Sequence, residues 1–392
     1  MPELMLVGIG KMGRPYLAAA RQLGLRIHAI EAESRADAVR DDVDSLHTSR
    51  GDLDELWAEA VWAAADESKP TGIAAFTEWN VLGAALLADR LDLPGPSLHA
   101  AVISRDKALQ RGLFSVAGVQ QPEYLAVPAL AGAREWVAGR FPVVVKPLSS
   151  AGSMGVELVA GAAEFEAACA RRTDGPLLAE TAIEGPEYSW EAFVENGQVW
   201  LSHITAKETT GPPYFVEVSH RGGVRFTGDT ARQVDRMTAA VLAAMGMRTG
   251  IVHLEFRLAE CGPVLMEVAV RTPGDYIMEL VGLTYGIDAF ETVLRLAMGM
   301  PLPEPPSAPV ASAATYLPQA PCGEVISADG LAEVLAHPHV VDAGLWVAPG
   351  EQVPAHPSGS GRIGYVVLAA PDPAPLEEAM AFARATLQVR TR

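Results

Sequence analysis

The chain has 392 residues, of which 49% are hydrophobic and 20% are charged, and it carries a formal charge of −18 with an isoelectric point near 4.9. This length and composition are typical of a globular protein with two to four domains. The acidic balance argues against a nucleic-acid partner, because phosphate backbones favour clustered Lys and Arg. No signal peptide or uninterrupted apolar span is visible, so we expect a cytoplasmic protein without membrane contact. Cys169, Cys261 and Cys322 are too widely spaced to indicate a disulfide framework or a zinc site.

The N-terminal segment predicts an α/β unit. Residues 4–9 are predicted to form an apolar strand, and GIGKMG at its end gives Gly8, Gly10 and Gly13 at dinucleotide-fingerprint spacing before a helix. The next strand ends near Glu31, about where such folds place a ribose-binding acid. This pattern leaves two interpretations open: an NAD-dependent oxidoreductase, or a tight turn whose glycines serve only close packing and substrate approach.

A second strand, loop and helix follow in TGIAAFTEWNVLGAALLADRLDLPG and close this α/β unit near residue 97. Glu78 lies where the strand ends, at the edge where open α/β sheets bind ligands. It is a candidate substrate contact. The preferred alternative is that Glu78 caps the helix.

A glycine-rich loop follows the β-branched run in FPVVVKPLSSAGSMGV, which delivers Lys146 at a strand end. The loop is rich in small residues, so its backbone N–H groups can turn towards phosphate oxygens; these residues are Ser149, Ser150, Ala151, Gly152, Ser153 and Gly155. The loop is not the GxxxxGK[ST] phosphate-binding loop, since Lys146 precedes the glycines. A glycine-rich hairpin without a ligand is the alternative. The candidate phosphate-binding residues of the loop are Ser150, Gly152, Ser153, Met154 and Gly155.

The stretch from Ile251 to Asp275 places Glu255 and Glu267 on two neighbouring strands. Alternation in LEFRL and VLMEV, with a turn in AECGP between them, predicts that the two carboxylates share one face. Arg271 follows shortly afterwards. Hard oxygen ligands beside a guanidinium fork suit a Mg²⁺-nucleotide site. A solvent-facing hairpin with scattered acids is the alternative.

Taken in chain order, these motifs resemble those of the ATP-grasp ligases from the first residues to nearly the last. The resemblance implies that Lys107, in RDKALQR, and Lys146 contact the nucleotide. It implies that Glu255 and Glu267 bind two Mg²⁺ ions, which Mn²⁺ can replace. It further implies that Arg271 holds the substrate carboxylate or the phosphate that this carboxylate becomes.

The segment LLAETAIEGPEYS matches the hinge of these enzymes. The resemblance implies that Glu180 and Ile183 contact the adenine there, largely through backbone groups. It also implies that Glu187 binds the ribose hydroxyls.

A narrower resemblance is to the bacterial L-amino acid (dipeptide) ligases, and it is carried by GPPYFVEVSHRGG. Glu217 and His220 form an ExxH arrangement ahead of the two metal strands. The resemblance implies that they line the amino-acid pocket, where either could fix the ammonium group or take its proton. Without the resemblance, His220 could equally be a structural histidine.

The chain departs from the family pattern at two positions. Ala269 stands where many members have an asparagine that completes the metal shell, so we expect an extra water on one Mg²⁺ or a bridging Glu267. Asp275 stands where some dipeptide ligases have a bulky aromatic residue. It could recognise a cationic substrate group, although an N-terminal cap of the next helix is slightly preferred.

The fold class implied is α/β: an ATP-grasp fold with a Rossmann-like N-terminal domain (residues 1–97), a small lid subdomain with the glycine-rich loop (98–184), a large subdomain with the metal and substrate site (185–300) and a C-terminal α/β element (301–392). The implied function is ATP-dependent joining of a small carboxylate, activated as an acyl phosphate, to an amine. Carboxylation, phosphoryl transfer to another acceptor and a silent nucleotide sensor are the alternatives. The expected partners are the small-molecule carboxylate and amine, and the sequence leaves open whether the chain forms a homodimer.

Overall fold

The structure is a computed structural model that describes residues 1–10, 12–150, 152–173, 175–355 and 360–392. Ala151, a member of the expected glycine-rich loop, lies outside these ranges. Within them the helices are α1 (Arg14–Gln22), α2 (Asp54–Ser68), α3 (Glu78–Leu91), α4 (Leu98–Arg105), α5 (Lys107–Val116), α6 (Arg134–Val137), α7 (Ala162–Arg171), α8 (Gly228–Met245), α9 (Ile277–Tyr285), α10 (Ala289–Ala297), α11 (Leu331–Leu335) and α12 (Pro373–Thr386). The strands are β1 (Glu3–Val7), β2 (Arg26–Ala32), β3 (Ser45–Ser49), β4 (Gly72–Ala75), β5 (Tyr124–Val127), β6 (Val143–Pro147), β7 (Glu157–Val159), β8 (Leu177–Thr181), β9 (Glu187–Glu195), β10 (Gln198–Thr209), β11 (Glu217–Arg221), β12 (Gly250–Ala259), β13 (Gly262–Ala269), β14 (Ser312–Tyr316), β15 (Gln319–Pro321), β16 (Gly323–Asp329), β17 (Val340–Leu345), β18 (Gln352–Val353), β19 (Ser360–Arg362), β20 (Gly364–Ala370) and β21 (Gln388–Thr391).

The N-terminal sheet is parallel, with strand order β3-β2-β1-β4. The last four residues of β1 are buried, as expected for an apolar strand at the centre of a parallel sheet. Helix α1 begins directly after the glycine turn, and α3 begins directly after β4. The α/β class is therefore confirmed, and the carboxyl ends of the strands direct the following loops to one edge of the sheet.

The glycine turn after β1 closes on groups of the protein itself. Gly8 has a φ of +71°, and a Cβ atom there would lie 1.9 Å from Asn80 Oδ1. The Glu31 carboxylate is fully buried and accepts hydrogen bonds from the Gly10 N–H at 2.7 Å and from Arg35 Nε at 3.1 Å. Because Glu31 is engaged inside the protein, this geometry favours close packing over ribose binding and disfavours the NAD interpretation.

A small antiparallel sheet has strand order β5-β8-β6-β7. Val143 and Val145 of β6 are fully buried and belong to one core with Phe165 of α7. The β-branched run forms β6 because such side chains fit a half-buried pleated surface. Lys146 lies at the end of this strand, and the glycine-rich loop connects β6 to β7, as the sequence predicts.

The segment around RDKALQR spans the boundary between two helices. Helix α4 ends at Arg105, and Asp106 adopts an extended conformation with φ −133°. The Asp106 carboxylate accepts a hydrogen bond from the Leu109 N–H at 2.9 Å and so caps α5. The break places Lys107 in the first turn of α5.

The long sheet has eight strands within the described ranges, in the order β13-β12-β9-β10-β11-β14-β20-β17. The register sets Glu255 of β12 directly opposite Glu267 of β13, which confirms the hairpin predicted from the alternating pattern. The connector at residues 301–309 contains no helix or strand. Strands β14, β20 and β17 nevertheless continue the same sheet beyond β11, so the C-terminal residues extend the sheet that carries the acidic pair.

Helix α8 illustrates how the helices cover the sheets. Val234, Met237, Val241 and Met245 recur at helical spacing and are buried in a core with β12 and β13. Charged residues, among them Arg232, lie on the exposed face. Across the described ranges, no helix combines the length and apolarity that a membrane span requires.

Candidate active site

A cavity of about 730 Å³ lies between the small sheet and the long sheet. It is lined by the beginning of α3, the glycine-rich loop, the hinge after β8 and the loop after β13. The structure thus brings together segments that are far apart in the chain. The expected site residues that line it are Glu78, Lys107, Lys146, Ser150, Gly152, Ser153, Met154, Ile183, Glu187, Glu217, His220, Glu255, Glu267, Arg271 and Asp275.

Two expected nucleotide residues do not line the cavity. Gly155 has a φ of +73°, and a Cβ atom there would lie 2.9 Å from Pro147 Cγ. The absence of a side chain at this position therefore allows the loop to turn back close to β6. Glu180 is fully buried behind the wall. Its carboxylate contacts Lys146 Nζ at 2.7 Å and Arg111 Nε at 2.6 Å, and is therefore engaged with the protein.

Two buried lysines stand at the end of the cavity that the glycine-rich loop borders. Lys107 Nζ donates to the Ser150 carbonyl at 2.8 Å and lies 3.1 Å from Glu267 Oε1. Burial lowers the pKa of Lys146, although the attraction of Glu180 opposes that shift. Together the two lysines provide positive charge beside the loop, where an anion such as a phosphate group would be stabilised.

A single arginine joins the two ends of the hinge. Arg257 of β12 donates through Nη1 to the Ile183 carbonyl at 3.0 Å and through Nη2 to Glu187 Oε2 at 2.9 Å. Its guanidinium also lies 5.1 Å from the centre of the Phe215 ring. This fork fixes the path of residues 182–186, which form the cavity wall between the two sheets.

The acidic pair is neutralised by lysines in this structure. Lys207 of β10 contacts Glu255 with its ammonium group, which also lies 3.5 Å from Glu187 Oε1 and 3.6 Å from Glu217 Oε1. Burial disfavours the charged ammonium, but the attraction of the three carboxylates outweighs it and raises the pKa of Lys207 well above its ordinary value. The same attraction keeps Glu255 ionised, with a pKa well below its ordinary value.

A chain of buried polar groups supports Glu255 from behind. His253 Nε2 lies 3.3 Å from Glu255 Oε1, and His253 Nδ1 lies 2.8 Å from Glu191 Oε1. Glu191 is fully buried and also accepts a hydrogen bond from Thr205. Burial disfavours the imidazolium, but the two carboxylates outweigh this effect and raise the pKa of His253. The chain fixes the orientation of the Glu255 carboxylate.

Arg271 and Glu78 form a buried ion pair on the cavity wall. Arg271 Nε donates to Glu78 Oε1 at 2.5 Å, and Arg271 Nη1 donates to the Thr272 carbonyl at 2.7 Å. Burial alone would raise the pKa of Glu78, but the attraction of Arg271 outweighs burial and lowers this pKa below its ordinary value. Thr77, not Glu78, occupies the N-cap position of α3, so the prediction that Glu78 caps this helix is wrong. The Glu78 carboxylate positions Arg271 instead.

The capping role preferred for Asp275 is wrong. Tyr276 is the residue that precedes α9, and no side chain caps this helix. Asp275 Oδ1 instead accepts from Arg362 Nη1 at 2.6 Å, and Asp275 Oδ2 lies 3.6 Å from His220 Nε2. Burial opposes ionisation of Asp275, yet His220 and Arg362 hold its pKa well below the ordinary range. An ion pair in a partly buried site outweighs the modest stabilisation that a helix cap provides.

The acidic pair fits a Mg²⁺ ion that is bound together with a nucleotide. Among the described residues, no group of three or more His, Cys, Asp or Glu side chains is arranged to hold a metal. Mg²⁺ commonly takes one or two carboxylates and completes its octahedron with water and substrate phosphates. Glu255 and Glu267 each already contact an ammonium group, so both attract cations here. Ala269 lines the same cavity without an oxygen donor in its side chain.

The cavity lining includes basic residues that were not predicted from the sequence: Lys207, His253, Arg257 and Arg362. Two of these carried a local signal. His253 lies two positions before Glu255 and therefore on the same face of β12, and Lys207 is an isolated cation within a strand. Arg362 had none, because its partners lie far away in the chain.

Two family models match this chain. Residues 139–279 match the ATP-grasp domain, and residues 316–392 match the L-amino acid ligase C-terminal domain 2. The first range contains Lys146, the glycine-rich loop and the acidic pair, and the second contains Arg362.

Several curated proteins are similar to this chain in sequence. Protein y4rH of Sinorhizobium fredii, described as uncharacterised, is 28% identical over 381 residues, covering 92% of this chain and 76% of the relative. Carnosine synthase 1 of Gallus gallus is 27% identical over 336 residues, and the match covers 78% of this chain but only 36% of that longer protein. Formate-dependent phosphoribosylglycinamide formyltransferase of Chlorobaculum tepidum is 26% identical over 364 residues, with 86% of each chain covered.

Solved structures show the same fold. The L-amino acid ligase of Bacillus licheniformis superposes with a TM-score of 0.87 at 24% identity, covering 100% of this chain and 99% of that one. The biotin carboxylase domain of Hydrogenobacter thermophilus 2-oxoglutarate carboxylase, solved with MgADP, ADP and bicarbonate, superposes with a TM-score of 0.74 at 16% identity, covering 99% and 90%.

The fold and the family match over residues 139–279 identify an ATP-grasp domain, as the sequence motifs predict. The chain is similar to ATP-dependent carboxylate–amine ligases of the ATP-grasp family, and L-amino acid ligases are among its neighbours. ATP and Mg²⁺ are the ligands typical of this family.

Proposed function

We propose that the protein activates a small carboxylate, an amino acid or similar acid, as an acyl phosphate and joins it to the amino group of a second amino acid. ADP and phosphate are the other products. The observation that carries this proposal is the acidic pair Glu255 and Glu267, which faces a cavity that Lys107, Lys146 and Arg271 also line.

The chemistry follows from the poor leaving group of a carboxylate. Transfer of the γ-phosphoryl group of ATP to the carboxylate oxygen creates a good leaving group, and attack by an amine then expels phosphate. When bound, Mg²⁺ supplies neutralisation of phosphate charge. Lys107, Lys146 and the N–H groups of the glycine-rich loop orient the phosphates.

Arg271 holds the carboxylate that reacts, and its guanidinium stabilises the negative charge that develops when the amine attacks. Preorganised donors of this kind contribute about 3 kcal/mol each to the lowering of the barrier. Glu78 keeps Arg271 in place through its buried ion pair. Glu217 and His220 fix the ammonium group or take its proton, and closure of the glycine-rich loop protects the acyl phosphate from water.

Other ATP-grasp chemistries use the same nucleotide residues, and the formyltransferase and biotin carboxylase neighbours make them the relevant alternatives. The match to the L-amino acid ligase C-terminal domain supports amide formation over carboxylation. The similarity to carnosine synthase supports a product in which an amino acid is joined through an amide bond.

The test is a screen of amino-acid pairs for ADP release with MgATP, followed by mass spectrometry of the products. We expect release that requires both an acid and an amine, with a product mass equal to their sum minus water. Release that is driven by bicarbonate or formate in place of an amino acid would identify the alternative chemistry.

Several finer features belong to the same proposal. From the sequence we propose that the domains of the chain divide at residues 97, 184 and 300. We also propose that the site binds two Mg²⁺ ions, which Mn²⁺ can replace, and that the protein is cytoplasmic and forms a homodimer. Metal titration with nucleotide present and measurement of molar mass in solution would test the ion count and the oligomeric state.

A further inference from the structure

We propose that Arg362 binds a substrate carboxylate that is not consumed in the ligation. This inference rests on the proposed ligase function and deepens it, because it defines the class of substrate. Such a carboxylate has two sources: the free carboxyl group of the amine substrate, or a second carboxyl group on an acidic partner. In either case the protein selects an amino acid or a diacid over a compound without that group.

Arg362 reaches the cavity from the C-terminal part of the chain. Its Nη1 donates to Asp275 Oδ1 at 2.6 Å, whereas its Nη2 lies 3.8 Å from Glu217 Oε2, beyond hydrogen-bond distance. A guanidinium has five N–H donors in a planar fork that matches a carboxylate. The Arg362 side chain is 25% exposed, and its hydrogen bond to another described side chain uses Nη1. Other N–H groups of its guanidinium are therefore available to a ligand in the cavity.

The position of Asp275 is fixed by the backbone. Asp275 and Tyr276 have φ angles of +55° and +65°, a left-handed conformation that is unfavourable for residues other than glycine. Asp adopts this conformation more readily than a bulky residue, so the unfavourable position is mainly that of Tyr276. Such conformations persist where the surroundings enforce them and are concentrated at functional sites. The Tyr276 ring stacks on Tyr365 of β20 at 4.2 Å, which joins this loop to the strand that follows Arg362.

A second observation points independently to a ligand. His220 is fully buried and lines the cavity, yet neither of its ring nitrogens has a hydrogen-bond partner among the described residues. Its Nε2 lies 3.6 Å from Asp275 Oδ2. Buried polar atoms are nearly always paired, so this imidazole indicates a polar group of a substrate beside the Asp275–Arg362 pair.

The remaining cations of the cavity wall have other tasks. Lys207 is neutralised by three carboxylates, and the fork of Arg257 holds the hinge. Arg362 is therefore the group best placed to neutralise a carboxylate that takes no part in the reaction. The cations with other tasks in the proposed mechanism are Lys107, Lys146 and Arg271.

The experiment compares binding of matched compounds by calorimetry, with the full-length protein saturated by Mg²⁺ and a non-hydrolysable ATP analogue. One pair is L-alanine and L-alaninamide, and the other is L-glutamate and L-glutamine. We expect the wild type to prefer the acid in at least one pair by about 10- to 100-fold, the range for one charge-assisted hydrogen-bonded contact. Arg362→Gln should abolish that preference while leaving nucleotide affinity unchanged, and Arg362→Lys should retain part of it.

Arg390→Gln is the matched control, because Arg390 is an exposed arginine of the same C-terminal region. Loss of the alanine preference identifies the amine substrate as the source of the carboxylate, and loss of the glutamate preference identifies the acidic partner. An unchanged preference in Arg362→Gln, or none in the wild type, overturns the inference. Absence of ADP release for every pair refutes the ligase proposal instead, and the binding comparison still decides the role of Arg362.

Discussion

Replacement of Lys207 by methionine is expected to lower the free energy of unfolding by about 3 to 5 kcal/mol, the usual cost of removing one partner from a buried ion pair. The ammonium group contacts Glu255 and lies 3.5 Å from Glu187 and 3.6 Å from Glu217. At an effective dielectric constant of 20, one such pair is worth about 5 kcal/mol before the desolvation of the ammonium is subtracted. Without Lys207, three carboxylates would face one another across a buried space.

The assay is urea denaturation at pH 7 without nucleotide. The raised pKa of Lys207 means that its contribution is complete at this pH and is lost only as the pH rises through the alkaline region. Lys69→Met is the matched control, since Lys69 is exposed, and we expect it to change stability by no more than about 0.5 kcal/mol. A loss below about 1 kcal/mol in Lys207→Met would refute the three-carboxylate arrangement.

Three further predictions follow from the site and its scaffold. Glu255→Gln and Glu267→Gln should each abolish amine-dependent ADP release in folded protein, whereas Glu260→Gln, at the exposed turn of the same hairpin, should retain it; activity in either of the first two variants would contradict their metal role. Gly8→Ala should destabilise the protein by about 3 kcal/mol or more, because its Cβ would overlap Asn80 at 1.9 Å, whereas Gly10→Ala has a similar positive φ and open space and should cost only about 1 kcal/mol; equal thermal shifts would argue against the close contact. Burial lowers the pKa of His203 to about 4, so the unfolded chain takes up a proton that the folded chain does not as the pH falls from about 6.5 to 4; stability should therefore decrease by about 3 kcal/mol across this window in the wild type and by less in His203→Gln, as measured by denaturation at each pH.

Local alternation made the acidic pair predictable. A period of two places Glu255 and the residues two positions away on one face, and a short turn returns Glu267 to the same face of the neighbouring strand. The end of β6 at Lys146 was predictable for a similar reason, since a β-branched run followed by small residues has few alternative conformations. These features depend only on residues close together in the chain.

The side-chain partners were not predictable in the same way. Glu180 lies at the expected hinge, but Arg111 and Lys146 reach it from other elements and keep it out of the cavity. Asp275 has the residue type of a helix cap, but Arg362 meets it from a strand 87 positions away. Long-range ion pairs of this kind outweigh local capping preferences, and they cannot be predicted from the neighbouring residues in the chain.

The acyl phosphate can be tested directly by supplying an acid substrate labelled with ¹⁸O in its carboxyl group, together with MgATP and the amine. If the carboxylate takes the γ-phosphoryl group, the amine later expels that oxygen with the phosphorus, and each released phosphate carries one ¹⁸O atom. Mass spectrometry of the phosphate measures this transfer. Unlabelled phosphate accompanying a normal yield of amide would contradict activation of the carboxylate by ATP in this cavity.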